Sequence, residues 1–370
     1  MELKKIVNIM PDDKFLDYYI EMSEKFLPGE STYLFFKDDA PFKFVKSLNN
    51  NIVKIAKSDI LSNELIENLK KADKIVFHSF RTEYKDLIDK ISGYPDLIWL
   101  FWGYDGYITQ KKNKYLGKYT SRFRYNKSVE GILKYIKNNF FNDWNINKIG
   151  EIHRGIIAKM DYCATWVQHD FDLAKSINPK IKKLYFNYYT EELMNFPEPE
   201  NCNANFDSLM LGNSASEYNN HAEALMYLKK IGYQGTIYCP LSYNGSVCYK
   251  QNIEEMGIRF FGNKFVALKD FMSLAEYQKI INSCDVVWMN HKRQQAAGNL
   301  FAALYAGKII ILDSQNPLIR TFNDWGLKVF SREILVDKKF DRLHLKNNQK
   351  VKNMITIAKN IEFFNFLKRR

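Results

Sequence analysis

Short apolar runs alternate with amphipathic stretches along the first half of the chain. The apolar runs predict strands at Ile6–Met10, Thr32–Phe36, Ile52–Ile55, Ile75–His78, Leu97–Trp102, Tyr162–Val167 and Lys183–Phe186. The amphipathic stretches predict helices at Asp13–Phe26, Glu64–Lys71, Glu83–Ile91, Lys127–Phe141, Ile152–Met160 and His169–Ile177. Because strands that alternate with helices are joined by crossovers, the pattern predicts a mostly parallel α/β sheet.

The stretch Ser208–Val329 repeats a simpler pattern of strand, polar turn and helix. Val286–Met289 runs into a polar segment, Asn290–Asn299, and then into the helical run Leu300–Tyr305. Leu209–Leu211 runs in the same way into Gly212-Asn213-Ser214. Further strands are predicted at Thr236–Cys239 and Ile309–Leu312, and a helix is predicted to open on the capping box Ser273–Glu276.

Two prolines, Pro197 and Pro199, lie among Asn and Glu near the middle of the 370-residue chain and mark the best linker. We therefore expect an N-terminal domain over residues 1–195, a linker over 196–205 and a second domain over 206–335. Residues 336–370 are predicted to form a basic helical tail that packs back on the N-terminal domain. No apolar run approaches the length of a membrane span, and the five scattered cysteines fit reduced thiols in a cytoplasm.

The polar turns of the second half have the composition of a phosphate-binding site. Lys292 and Arg293 come directly before a helix start rich in small residues. The first N–H groups of a helix have no partner within it, and the helix dipole adds positive charge there, so an anion binds well at this point. Asn219 and Asn220 are expected to cap the helix that follows Gly212-Asn213-Ser214. Two such turns predict a nucleotide-binding domain.

A formal net charge of +12 indicates an anionic partner. Between Asp105 and Glu130 there is no acidic residue, whereas this segment holds seven cations interleaved with aromatic residues. The segment fits an anionic membrane surface, a single-stranded RNA or a solvated loop, and composition alone leaves all three open.

Several motifs of the chain, taken in order, resemble those of one enzyme family. They are Trp102-Gly103-Tyr104-Asp105, Leu211-Gly212-Asn213-Ser214, Asn219-Asn220-His221, Pro240 with Tyr243, Arg293-Gln294-Gln295 with Gly298, Ala306-Gly307 and Asn316-Pro317. The family is that of the TDP-N-acetylfucosamine:lipid II N-acetylfucosaminyltransferases, or 4-acetamido-4,6-dideoxygalactosyltransferases, of glycosyltransferase family 56. The resemblance is strongest over Leu209–Phe330.

This resemblance implies a GT-B fold, in which two Rossmann-like domains face each other across a cleft. It implies transfer of a 4-acetamido-4,6-dideoxyhexose from a nucleotide-diphosphate sugar to a polyprenyl-diphosphate-linked saccharide. The product would belong to enterobacterial common antigen, O-antigen or capsule, and the enzyme would be peripheral to the cytoplasmic face of the inner membrane. No cofactor and no metal are expected.

The site residues expected in this chain have three binding roles. The donor-binding set is Gly212, Asn213, Ser214, Asn219, Tyr243, Lys292, Arg293, Gln294, Gln295, Gly298 and Asn299. The acceptor-binding set is Trp102, Gly103 and Tyr104, and the membrane-binding set is Lys111, Lys112, Lys114 and Lys118. Arg293 is expected to stabilise the charge of the leaving diphosphate without a metal.

Two residues compete for the role of general base. Asp105 follows a predicted strand and could accept the proton of the acceptor hydroxyl, or it could simply close a turn. His78 also follows a strand and is the second candidate. Asp170 and Asp172 form a DxD pattern, but they open a predicted helix, so capping is expected rather than metal binding.

Two other classes of function compete with this reading. A nucleic-acid-binding protein would use the basic, tyrosine-rich segment, but the sequence has no RRM, KH or zinc pattern. A dinucleotide oxidoreductase would need a GxGxxG motif after a strand, and none is present.

Overall fold

The structure is a computed structural model. It describes residues 3–369 except 14, 39, 111–113, 126–127, 137–143, 192–205 and 338–347. The chain divides into two compact units. The first consists of Met1–Gln110, Asn145–Leu193 and Ile355–Arg370, and the second of Lys111–Trp144 and Met194–Met354.

The two units do not follow the boundaries expected from the sequence. Residues 111–144 were expected in the N-terminal domain but belong to the second unit. Residues 355–370 belong to the first unit, on which the tail was expected to pack. The proline-rich segment marked only one of the places where the chain changes unit. The others have ordinary composition, so the sequence pattern did not reveal them.

The first unit holds a seven-stranded parallel sheet in the order β3-β2-β1-β4-β5-β6-β7. Its strands are β1 (Ile6–Ile9), β2 (Ser31–Phe36), β3 (Ile52–Ile55), β4 (Lys74–His78), β5 (Asp96–Leu100), β6 (Tyr162–Ala164) and β7 (Lys182–Leu184). The second unit holds a five-stranded parallel sheet in the order β10-β9-β8-β11-β12. Its strands are β8 (Ser208–Leu211), β9 (Thr236–Pro240), β10 (Phe265–Leu268), β11 (Val286–Met289) and β12 (Ile309–Leu312). The sequence pattern did not predict β10.

Helices connect the strands of both sheets in the described residues. Those before β8 are α1 (Leu16–Phe26), α2 (Asn63–Lys70), α3 (Tyr84–Ile91), α4 (Tyr104–Tyr107), α5 (Lys118–Phe123), α6 (Val129–Ile136), α7 (Trp144–Ile157) and α8 (Gln168–Ile177). Those after β8 are α9 (His221–Lys230), α10 (Val247–Phe261), α11 (Leu274–Ser283), α12 (Ala297–Tyr305), α13 (Leu318–Asp324), α14 (Ile334–Asp337), α15 (Asn348–Ile355) and α16 (Ile361–Lys368). Single 3₁₀ turns occur at Lys57–Asp59, Glu217–Asn219, Gly262–Lys264 and Ile357–Asn360.

Both faces of the first sheet are buried, which explains why its central strands read as continuous apolar runs. Along β4, Ile75 and Phe77 pack into one core cluster, whereas Val76 between them packs into the other. The second cluster also contains Phe363, Phe364 and Leu367 of α16. A helix from the end of the chain therefore covers a sheet that begins at residue 6.

Candidate functional site

The candidate site of the second unit lies where its strand order reverses. From β8 the chain adds β9 and β10 on one side, and it then crosses to add β11 and β12 on the other. The carboxyl ends of β8 and β11 are therefore neighbours, and Leu211 is in register with Trp288. Ligands of open parallel sheets bind in the crevice at such a switch point. The two polar turns predicted from the sequence, Gly212–Ser214 and Asn290–Asn299, follow these two strands.

The turn after β8 is shaped by close contacts with the start of α9. Gly212 has a φ of +75°, and a Cβ atom there would lie 2.7 Å from His221 Nε2 and 2.8 Å from Asn219 Oδ1. The Asn219 side chain accepts a hydrogen bond from Asn213 N (3.2 Å) and donates one to Ser214 O (3.0 Å). The Asn219 side chain thus holds the backbone of the turn Gly212–Ser214 in one conformation. Only glycine fits at position 212 without strain.

Tyr243, which follows β9, borders the same turn. Its backbone carbonyl accepts a hydrogen bond from Ala215 N at 2.9 Å. Its hydroxyl accepts one from Asn213 Nδ2 at 3.3 Å. The structure therefore brings together the predicted donor-binding residues Gly212, Asn213, Ser214, Asn219 and Tyr243.

The turn after β11 carries the predicted cation. Arg293 is 9% exposed, and its guanidinium carbon lies 4.5 Å from the centre of the Tyr218 ring. Asn316 holds the turn by donating hydrogen bonds to His291 O (2.9 Å) and Arg293 O (3.3 Å). Lys292 is half-buried beside Arg293.

The helix after this turn begins earlier than the predicted run Leu300–Tyr305. It starts at Ala297, so Gly298 and Asn299 lie in its first turn. The N-cap residue Ala296 has a φ of +58° and no oxygen in its side chain with which to cap. The first N–H groups of α12 thus receive no cap from that residue, which suits an anion at this helix start.

Several buried polar atoms around these turns have no hydrogen-bond partner within the described part of the chain. They are Asn213 Oδ1, His221 Nε2, both ring nitrogens of His291 and Gln295 Oε1. Burial lowers the pKa of His221 to about 3. Burial, together with Arg293, holds the pKa of His291 well below its usual value. Both imidazoles are therefore neutral near pH 7. An unsatisfied buried polar group is costly, so a concentration of them points to a ligand that completes their bonding.

The Asn220 side chain was predicted to cap α9, but it bonds to other segments of the second unit instead. It is the N-cap residue of α9, with a φ of +48°, but its side chain makes no capping bond to the described helix. The side chain donates to Tyr115 O and Asn290 O, both at 3.1 Å, and accepts from Gly117 N at 2.7 Å. Asn290 Nδ2 donates in return to Asn220 O. The capping prediction was wrong because these tertiary bonds occupy the side chain.

The start of the basic segment is docked on α9 by a residue that the sequence analysis missed. The Glu223 carboxylate accepts hydrogen bonds from Tyr119 N (2.7 Å), from Thr120 N (3.2 Å) and from Thr120 Oγ1 (2.6 Å). It therefore caps α5 from another helix. A Cβ atom at Gly117 would lie 2.0 Å from this carboxylate, which explains the glycine. The partners lie more than 100 positions apart, so no local pattern could have revealed them.

The predicted membrane-binding lysines fall in and beside this docked segment. Lys114 and Lys118 are exposed, and Lys111 and Lys112 lie outside the described residues. Tyr115 and Leu116 between them are buried. The aromatic interleaving of the sequence therefore reflects packing in part.

In the first unit, Asp105 is fully buried with its carboxylate engaged. Oδ2 accepts from Trp99 Nε1 at 2.7 Å, and Oδ1 accepts from Gly106 N at 3.1 Å and Trp102 N at 3.3 Å. Burial raises the pKa of this carboxyl above its ordinary value. These contacts close the turn between β5 and α4. The proposed role of Asp105 as a base stays a prediction.

His78, at the carboxyl end of β4, is buried in a network of aromatic residues. Trp102 Nε1 donates to the Tyr188 hydroxyl at 2.9 Å, and this hydroxyl shares a hydrogen bond of 2.6 Å with His78 Nδ1. His78 Nε2 lies 3.5 Å from Asn8 Oδ1. Burial holds the pKa of His78 well below its ordinary value, so the ring is neutral. Its role as a base is likewise still a prediction.

The predicted acceptor-binding residues lie beside these two groups. Trp102 belongs to the network just described, and Gly103 is the N-cap of α4 with a φ of +105°. Tyr104 exposes 56% of its surface and is the exposed residue of this set.

Neither aspartate of the DxD pattern has the role expected of it. The helix begins at Gln168 and its N-cap is Val167, so the capping prediction was wrong. The Asp170 carboxylate accepts a hydrogen bond from the Tyr107 hydroxyl at 2.5 Å, and that of Asp172 accepts one from Gln168 Nε2 at 2.7 Å. Within the described ranges, no group of three His, Cys, Asp or Glu residues is arranged to hold a metal ion. The same ranges contain no helix with the length and apolarity of a membrane span.

The fold is shared with solved glycosyltransferases. HepE from Anabaena, solved with UDP and glucose, has a TM-score of 0.63 at 11% identity, with 99% of this chain and 100% of that chain covered. Sucrose-phosphate synthase from Thermosynechococcus elongatus has a TM-score of 0.61 at 11% identity, with 98% of each chain covered. A glycosyltransferase from Rickettsia africae has a TM-score of 0.61 at 13% identity, with 100% and 99% covered. The chain thus has the GT-B fold, and that prediction is confirmed.

A family model defines the protein more closely. Residues 157–367, more than half of the chain, match the family described as 4-alpha-L-fucosyltransferase glycosyl transferase group 56. The protein belongs to this family and is a glycosyltransferase. The predictions of family and of enzyme class are therefore confirmed.

Proposed function

We propose that this glycosyltransferase moves a 4-acetamido-4,6-dideoxyhexose from a nucleotide-diphosphate sugar to a polyprenyl-diphosphate-linked saccharide. The reaction would serve a bacterial surface polysaccharide such as enterobacterial common antigen, O-antigen or capsule. The enzyme would work at the cytoplasmic face of the inner membrane, attached to its anionic surface. The sequence motifs that resemble family 56 support the choice of sugar and acceptor.

The observation that carries the donor part of the proposal is the pair of turns at the β8/β11 switch point. Arg293 and the uncapped start of α12 offer positive charge, and the neighbouring turn Gly212–Ser214 adds the unsatisfied side-chain oxygen of Asn213. HepE, which shares the fold, was solved with UDP. A nucleotide diphosphate on this helix start would follow the general rule for open parallel sheets.

In the proposed mechanism these groups act on the diphosphate leaving group. Negative charge builds on the β-phosphate as the bond to the sugar breaks, and a fixed cation with oriented N–H groups stabilises that charge. Gly298 and Asn299 lie in the helix turn that would meet the phosphates, with Lys292 beside Arg293. No metal is required by this scheme. Transfer is expected to survive excess EDTA, and its loss, with recovery on adding Mg²⁺, would contradict the scheme.

The acceptor hydroxyl must lose its proton during transfer, and Asp105 is our proposed base, with His78 as the second candidate. His78 is the last residue of β4, and Asp105 follows the carboxyl end of the neighbouring strand β5. Tyr104, exposed next to Asp105, is the proposed contact for the acceptor saccharide.

A donor-by-acceptor screen tests the proposal. TDP- and UDP-linked sugars, each with and without a 4-acetamido group, are incubated with the full chain and an undecaprenyl-diphosphate disaccharide dissolved in detergent. We expect a product one dideoxyhexose heavier by mass spectrometry, with a preference for the acetamido sugar. Transfer of an ordinary hexose in preference to it would overturn the sugar assignment. Transfer only to a soluble saccharide would overturn the acceptor assignment.

A further inference from the structure

Helix α6 presents its apolar side outward. Val129, Ile132, Leu133 and Ile136 are between 40% and 74% exposed. Their spacing of i, i+3, i+4 and i+7 places them on one stripe, roughly 100° wide, along the helix. An ordinary surface helix turns such a stripe toward the core. Four aliphatic side chains on one exposed stripe therefore require an explanation.

The opposite side of α6 is packed against its own unit. The Tyr135 ring lies 6.0 Å from that of Tyr125, and the Arg122 guanidinium carbon lies 5.7 Å from the centre of the Tyr135 ring. Gly131 is buried. Gly131 N donates to Ser128 Oγ at 3.1 Å, which fixes the start of the helix. The orientation of the stripe thus follows from tertiary contacts on the other side of the helix.

The neighbouring surface is basic. Lys118 and Arg122 lie one turn apart on α5, so they line the same side of that helix, and Arg122 is the residue that contacts α6. Lys114 is also exposed, and no acidic residue occurs from position 106 to 129. Glu130 is exposed on α6, about 100° of helix rotation from Val129. An exposed aliphatic stripe on a helix whose neighbouring segment carries the exposed cations Lys114 and Lys118 fits an element that lies in the interface of an anionic bilayer.

We propose that α6 is the membrane-anchoring element of this protein. Its four aliphatic side chains would enter the headgroup boundary of an anionic bilayer while Lys114 and Lys118 contact the lipid phosphates. A protein partner is a poorer match, because the stripe lacks the aromatic anchors that carry most of the energy in protein interfaces. The inference deepens the proposed function by naming the surface that would meet the membrane. It adds an apolar anchor to the cations that the sequence indicated.

Vesicle binding by the full chain tests the inference. The probes are phosphatidylcholine vesicles with increasing phosphatidylglycerol and no acceptor, at low and high salt. The test variant is Leu133→Gln with Ile136→Gln. The matched control is Ile258→Gln with Val336→Gln, which removes two aliphatic side chains of similar exposure (52% and 59%) from α10 and α14 of the same unit.

We expect the parent to bind better as the anionic lipid increases. The test variant should bind at least tenfold more weakly than the parent at an unchanged melting temperature, and the control should bind like the parent. Lys114→Glu with Lys118→Glu should abolish most of the salt dependence. Equal binding of the test variant and the parent would overturn the proposal. A parent that is dimeric in sedimentation equilibrium and a test variant that is monomeric would also overturn it, because the stripe would then be covered by a second copy.

Transfer measured in detergent separates this inference from the proposed function. The test variant should transfer sugar to the detergent-dissolved acceptor at the parent rate, since α6 holds none of the proposed site residues. If the parent bound vesicles through α6 but transferred no sugar, the proposed function would fail and the membrane inference would stand.

Discussion

The polar groups at the carboxyl ends of β4 and β5 differ from those at the carboxyl ends of β8 and β11 in how they are satisfied. In the first unit, the Asp105 carboxylate accepts hydrogen bonds from three described donors, and His78 is bonded to Tyr188. In the second unit, Asn213 Oδ1 and both nitrogens of His291 have no partner among the described residues. Satisfied polar groups hold a turn in one shape, whereas unsatisfied ones mark a place that a ligand completes. The second unit's turns therefore suit direct ligand binding, whereas the two proposed bases of the first unit are held in fixed positions by their neighbours.

The largest effect is expected from removing the cation of the second unit. Arg293→Ala should weaken nucleotide-diphosphate binding by about a hundredfold, since a charge-assisted hydrogen bond to phosphate contributes roughly 2–3 kcal/mol. Calorimetry with TDP and UDP measures the loss. The matched control is Arg332→Ala, because Arg332 lies over the Tyr227 ring at 4.6 Å, much as Arg293 lies over Tyr218. If both variants bound the nucleotide like the parent, Arg293 would not be part of the site.

Asp105→Asn should lower transfer, because it removes the proposed base, and it should also lower stability. The substitution places an amide where the carboxylate accepts from Trp99 and from backbone N–H groups, so the free energy of unfolding should fall by about 2 kcal/mol. Chemical denaturation measures this change. An unchanged kcat and an unchanged lower limb of the pH–rate profile would contradict the role of Asp105 as base, and an unchanged stability would end the contrast between the two units.

His221 should make the protein sensitive to acid. Its pKa in the folded state is about 3, below the ordinary value near 6.5, so the unfolded chain binds more protons between these values. Its contribution is complete above pH 6.5 and is lost as the pH falls toward 3, by about 2 kcal/mol from pH 6.5 to pH 5. The variant His221→Gln should lose less stability than the parent over this range in urea unfolding. Equal losses in the two proteins would show that another group titrates.

The smallest effect concerns the coupling between the basic segment and the β11 turn. Asn220→Gly keeps the left-handed backbone but removes the side chain that joins Tyr115 and Gly117 to Asn290. We expect about a fivefold rise in the donor KM, since a net hydrogen bond contributes roughly 1 kcal/mol. Asn252→Ala is the control, because Asn252 holds Phe123 O and Tyr125 O, farther along the same segment. A rise of equal size in both variants would show a general loss of stability rather than coupling.

The sequence predicted those parts of the fold and site whose signals are contiguous. The turn after β11 was found because its strand, its cations and its helix follow one another within twenty residues. The cap that Glu223 provides to α5 was not found, because its partners are more than a hundred residues away. Asn220 was assigned to the wrong partner for the same reason. The period of α6 predicts a helix, but only the packing of Tyr135 determines that its apolar stripe faces outward.

The position of α16 has a consequence for the order in which the protein can fold during synthesis. The first unit begins with β1, yet one face of its sheet is covered by Phe363, Phe364 and Leu367. The ribosome must therefore release the chain as far as Leu367 before this face can be closed. The second unit, which ends at Met354, can complete its core before the first unit does. The first unit, whose strands β1 to β5 are made before the second unit, is thus completed after it, and until then its apolar face is exposed to aggregation and to chaperones.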